Sequence, residues 1–160
     1  MKEKEELPKQ EYNLNIKKAF FWLTVIFLMV LIFKLSSQPA ATSNQLSKGV
    51  TEVVVDLIEK VTPAEPNVAD LNHIVRKYAH FFAYLLLGGL VSVAMNYDVK
   101  GKKRITITII FCVLYAISDE IHQIFVPGRG PQVKDVLIDS AGALIGILMF
   151  EIYLKIKKMV

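Results

Sequence analysis

Four long apolar runs constrain this chain more than any other feature. The first, Ala19 to Phe33, holds fifteen residues of which only Thr24 is polar. Flanked by Lys34, whose ammonium can reach the interface, a helix of this length crosses an apolar core about 30 Å thick. Comparable runs follow, and spans are expected at about 19–35, 77–95, 105–125 and 136–154. With 53% hydrophobic residues in a chain of 160, too little polar material remains to coat a soluble domain. The expected fold is an all-α integral membrane protein, a four-transmembrane-helix bundle with residues 19–154 as one domain. Residues 1–18 then form a flexible polar tail and 155–160 a basic one, both cytoplasmic.

Orientation follows from the cations. Five Lys or Arg lie in the first tail, four in the 96–104 turn and three in the last tail, out of nineteen. That side is expected to face the cytoplasm. The 36–75 connection and the 127–134 turn then lie outside. Within that connection Leu46, Val50, Val53, Leu57 and Val61 recur at helical spacing, which predicts an extracytoplasmic amphipathic helix over about 44–61. Ser43 is placed to cap it, and Pro63 and Pro66 to end it. No stripe of Lys and Arg with interleaved aromatics suggests a nucleic-acid surface, and no nucleic-acid partner is expected. The single cysteine, Cys112, excludes an internal disulfide.

This topology gathers polar residues from distant parts of the chain into one layer. Arg76, Lys77 and His80 open the second span, with Tyr84 one turn below His80. Asp119, Glu120, His122 and Gln123 end the third, Arg129 lies in the turn, and Asp135 and Asp139 open the fourth. These eleven are the candidate ligand-binding residues, because ionisable groups at membrane depth persist only where they pair or face a wet cavity. The blander reading is an ion-pair network: Arg76, Lys77, Arg129 and Lys134 balance Asp119, Glu120, Asp135 and Asp139. On the fourth span Gly142 and Gly146 form a G-x-x-x-G pair that admits a close helix neighbour, and Gly88 and Gly89 can do the same on the second.

The segments SSQP (36–39), RKYAHFFAYLLLG (76–88) and SDEIHQIFVPGRGPQVKDVLIDSAGALIG (118–146) resemble the VanZ-like family of small bacterial membrane proteins. The resemblance covers the chain from about residue 20 to its end. It implies a protein of the bacterial cell envelope, linked in some members to antibiotic resistance against glycopeptides such as teicoplanin. One departure stands out: relatives often carry glutamate where Ala83 stands.

The favoured expectation is a non-enzymatic binding protein of the outer leaflet. Its arginines would receive a phosphate or carboxylate from an anionic membrane lipid, a lipid-linked wall precursor or a lipoglycopeptide. The alternative is a membrane-embedded hydrolase or transferase acting on an amphiphilic substrate. His80, Asp119, Glu120, His122 and Asp135 would then be its acid–base candidates. A transport role fits less well, because the inner halves of the spans hold almost no ionisable groups. No cofactor is expected and no resident metal, since Glu120 and His122 lack the H-E-x-x-H spacing, although histidine with carboxylates suits zinc or manganese.

Overall fold

A computed structural model describes residues 9–61 and 68–159, and among them are five α-helices and no strand. They are α1 (Lys9–Ser36), α2 (Ala40–Val61), α3 (Val68–Met95), α4 (Gly101–Gln123) and α5 (Val133–Met159). Four of these, all but α2, are long and apolar enough to cross a membrane. Their outward faces are greasy: Phe20, Leu23 and Phe27 on α1, Leu114 on α4 and Ile152 on α5 are all exposed. Water does not tolerate so continuous an apolar surface on a monomer, whereas lipid does. The chain is a multi-pass helical membrane protein.

Helix boundaries follow local chemistry more than the apolar runs do. Residues 9–18, expected as part of a flexible tail, are instead the first turns of α1. No Gly or Pro interrupts the chain between Lys9 and Ser36, so nothing breaks the helix before Pro39. Residues 1–8 of that tail lie outside the described residues, as do Pro63 and Pro66. Gly101 opens α4 at φ +61°, a left-handed geometry that a side chain resists.

Helix α3 is the hub and touches every other helix. Its most extensive contact is with α5, where small residues bring the backbones together. A Cβ on Gly142 would overlap the Phe81 carbonyl, one on Gly146 the Leu85 carbonyl, and one on Gly88 the Ala143 carbonyl. The G-x-x-x-G pair therefore makes the close approach expected of it. Gly89 is looser, with only the Gly146 carbonyl oxygen 3.8 Å from its would-be Cβ. Around this crossing pack the buried side chains of Val25, Tyr84, Leu87, Val91, Cys112 and Ala116. Tyr115 ties α4 to α1 through a 2.6 Å bond to the Met29 carbonyl.

Helix α2 begins at Ala40, four residues before the expected start, and Ser43 sits inside it rather than capping it. Its apolar stripe stays largely accessible, with Val50, Val53 and Leu57 all exposed. The side chains of Leu46 and Val61 lie outside the described residues. The inner face is polar. Ser47 and the fully buried Thr51 both bond to the Asn72 carboxamide of α3, Thr51 at 3.2 Å.

The end opposite the polar layer holds a cluster that the sequence reading assigned to a solvated turn. Arg104 is only 2% exposed and donates to Asn96 and Glu151, with its guanidinium carbon 5.2 Å from the centre of the Phe150 ring. Beside it Lys18 and Asp98 pair at 2.6 Å. A buried arginine with two bonded partners is a structural tie between α4 and α5.

Candidate functional site

The turn between α4 and α5 does not hang free but folds back over the bundle end. Gly128 takes φ +76°, which reverses the chain. The Pro127 carbonyl accepts a bond from Ala40 N at 3.2 Å, and the Gln132 amide donates to Glu120 Oε2 at 2.7 Å. The start of α2 and the end of α4 thus pin the turn at both sides. Arg129, in the middle, lines the same space as His73, Arg76 and His80 of α3.

Beneath that turn lies a polar cavity of about 240 Å³. Arg76, Lys77 and His80 line it from α3, Glu120 and Gln123 from α4, Arg129 from the turn, and Asp135 and Asp139 from α5. His73 and Gln132 also line it, and neither was singled out from sequence. His73 lies in the first turns of α3, N-terminal to the apolar run that drew attention.

Two members of the cationic set behave differently from the third. Lys77 is committed to Asp135, with Nζ 2.7 Å from Oδ1. Among the described residues, neither Arg76 nor Arg129 forms an ion pair with any carboxylate, and the Nε of Arg129 is buried without a hydrogen-bond partner. Burial and the neighbouring Arg76 charge both hold the Arg129 guanidinium below its ordinary value, while Asp119 and Glu120 oppose them. Lys134 is exposed and does not line the cavity. The charge balance read from sequence is therefore only partly an ion-pair network.

Under the cavity floor Asp119 is buried and accepts a 2.7 Å bond from Ser36 on α1. Gln123 reaches the same two groups at 3.4 and 3.5 Å. Ser36 belongs to the SSQP segment, so that motif meets the DEIHQ motif here. His80 Nδ1 stands 3.7 Å from Asp139 Oδ2 and 4.0 Å from Asp119 Oδ2.

Two candidates stand apart from the cavity. His122 turns toward α1, where Nε2 lies 2.9 Å from Ser37 Oγ and the ring packs 4.3 Å from the Phe33 ring. Tyr84 is fully buried in the core, its ring tilted against that of Tyr115 at 5.9 Å between centres. Both are packing residues in this geometry.

A second space of about 250 Å³ adjoins the first and is mostly apolar. Ile32 and Leu35 of α1, Val50 of α2 and Val75, Ala79 and Ala83 of α3 form its walls. Arg76, His80 and Arg129 line both spaces and so stand at the boundary between them. The site juxtaposes a polar, charged chamber and an apolar groove. Ala83, where an acid was noted in relatives, belongs to the apolar groove.

A family model described as VanZ/LLP1 matches residues 21–154 of the chain. No curated protein and no solved structure matches the chain.

Proposed function

The chain belongs to the VanZ/LLP1 family, and from that premise we propose that it holds an anionic amphiphile at the outer leaflet of a bacterial cell membrane. Acting there, it alters the susceptibility of the envelope to glycopeptides such as teicoplanin. One observation carries the reading: Arg76 and Arg129 face one cavity with no carboxylate partner among the described residues. A planar guanidinium fork donates two parallel bonds to phosphate or carboxylate, which an uncommitted arginine is free to do. The adjoining apolar groove supports an acyl or prenyl chain on the same ligand.

The orientation rests on the cationic end facing the cytoplasm, with both termini inside and the cavity outside. A cysteine introduced as Gly130→Cys is expected to react with a membrane-impermeant maleimide in intact cells. Labelling only after lysis would remove the outer-leaflet reading.

Ligand class is tested on the detergent-solubilised protein with a short-chain phosphatidic acid and a short-chain phosphatidylcholine. The anionic lipid is expected to bind at least tenfold tighter. A charge-assisted bond is worth about 1.5–3 kcal/mol, so Arg76→Ala or Arg129→Ala should weaken that binding by about tenfold or more. Equal affinity for both lipids, unmoved by either substitution, contradicts the proposal.

A second reading, a hydrolase or transferase of amphiphilic substrates, is favoured by the His80 imidazole lying 3.7 Å from Asp139 at the cavity floor. A carboxylate that orients an imidazole is the usual arrangement of a general base. Turnover of a bound amphiphile, lost in His80→Ala while binding survives, would distinguish it from binding alone.

A further inference from the structure

Three side chains at the cavity floor face one another without bonding. His80, Asp119 and Asp139 each offer one ligand atom, and these atoms all lie within 4.8 Å of one another. The imidazole-to-carboxylate distances of 3.7 and 4.0 Å are too long for hydrogen bonds. Asp119 is 2% exposed and Asp139 1%, yet each keeps one buried oxygen with no hydrogen-bond partner. Orphaned buried oxygens are uncommon and costly, more so on an ionisable group. Something positive and small would satisfy all three residues at once.

We propose that His80, Asp119 and Asp139 bind one divalent transition-metal ion of the manganese or zinc type. One imidazole nitrogen and two carboxylate oxygens are the hard-to-borderline donor set these ions take. Each ligand comes from a different membrane helix, α3, α4 and α5, of which α3 and α5 are held together by the glycine crossing. The expectation of no metal rested on a motif that describes two ligands on one helix, so it could not see this arrangement. Ser36 bonds to Asp119 and Gln123 sits beside it, in the outer-shell role that orients a ligating carboxylate. With three protein ligands the ion keeps open positions, and His80 and Asp139 line the cavity into which they would face.

A charge argument points the same way, and it alone rests on the anion-binding reading above. Arg76, Lys77 and Arg129 are outnumbered by the carboxylates of Glu120, Asp135, Asp139 and Asp119 at and under the same chamber. Those carboxylates offset much of the pull that the cations exert on an anionic headgroup. A divalent ion reverses the balance and adds a Lewis acid next to the two arginines.

The full chain, purified in detergent and stripped with a chelator, is titrated with Mn²⁺ by electron paramagnetic resonance and with Zn²⁺ by calorimetry. We expect uptake of one equivalent per chain and, for bound Mn²⁺, a nitrogen hyperfine coupling from the imidazole. His80→Ala should abolish that coupling and weaken binding at least tenfold, as should Asp139→Asn. His80→Ala leaves no new buried charge, so it carries the test should Asp139→Asn fail to fold. The double substitution Arg76→Ala/Arg129→Ala, which removes the proposed anion contacts and two positive charges, should leave metal uptake as tight as in the wild-type chain or tighter. Failure of the wild-type chain to take up either ion stoichiometrically would overturn the site, as would unchanged Mn²⁺ affinity and coupling in His80→Ala. A wild-type chain that takes up the ion yet binds phosphatidic acid no tighter than phosphatidylcholine would count against the anion reading alone.

Discussion

Gly146→Leu is expected to leave no folded protein in detergent, while Gly89→Ala, on the facing helix, is expected to be neutral or mildly stabilising. A Cβ at Gly146 would overlap the Leu85 carbonyl and crowd the Gly89 amide, and those are backbone atoms that cannot rotate aside. Overpacking against side chains costs typically about 1–3 kcal/mol; here α3 and α5 must separate as whole helices, so the cost exceeds that range. Total stabilities are only about 5–15 kcal/mol, and this is the most extensive helix contact in the bundle. At Gly89 the nearest foreign atom to a new Cβ is 3.8 Å away, an ordinary contact. Alanine there also gains up to about 1 kcal/mol of helix propensity. Thermal unfolding followed by circular dichroism compares the two variants. Equal melting temperatures would mean that the glycine crossing is not what holds the bundle.

That crossing was legible in the sequence because small residues at i and i+4 in an apolar helix have one main physical use. The vertical stacking of Arg76 and His80 was legible for the same reason: helical spacing fixes which side chains share a face. What sequence could not supply was azimuth. His122 and Asp119 are three apart, yet a modest rotation of α4 sends His122 to Ser37 and leaves Asp119 facing His80. In lipid the apolar pattern gives little help with rotation, because the hydrophobic face of a helix can point outward as readily as inward. Helix α2 shows this directly, since Val53 and Leu57 are exposed while Thr51 is buried. Arg104 escaped for a related reason. It sits at the edge of a basic run that reads as a solvated turn, and only the return of α5 brings Glu151 to it.

The chain's four helical crossings bring Ser36, His80, Asp119 and Asp139 to one end, although they come from four separate helices. Topology alone explains that convergence, and it was predictable once four spans were counted. The division of labour among the cations was not. From sequence Arg76, Lys77 and Arg129 are equivalent positive charges. In the structure Lys77 is engaged with Asp135 and the arginines are not.

From that difference follows an expected result larger than either single arginine substitution gives. Arg76→Ala/Arg129→Ala should weaken phosphatidic acid binding by more than the product of the two single losses, beyond about a hundredfold if each single loss is about tenfold. When one arginine is removed, the phosphate can recentre on the other and recover part of the lost interaction. When both are gone, no uncommitted arginine or lysine lines the cavity among the described residues, because the Lys77 ammonium is held 2.7 Å from a carboxylate oxygen. The interaction energy of the double-mutant cycle reports this sharing of one ligand directly. Asp135→Asn should move affinity the other way, tightening binding by about threefold to tenfold. It removes a negative charge from the cavity wall and frees Lys77, a gain of about 0.6–1.4 kcal/mol by the same conversion. Because charged side chains line the cavity, the wild-type affinity should fall as salt is raised from low to physiological strength, and the double variant should lose most of that slope. A generic attraction between lipid and a basic surface predicts otherwise: additive losses for all three cations, and no special effect of Asp135. Strict additivity across Arg76, Lys77 and Arg129 would therefore assign the binding to surface charge and not to this cavity.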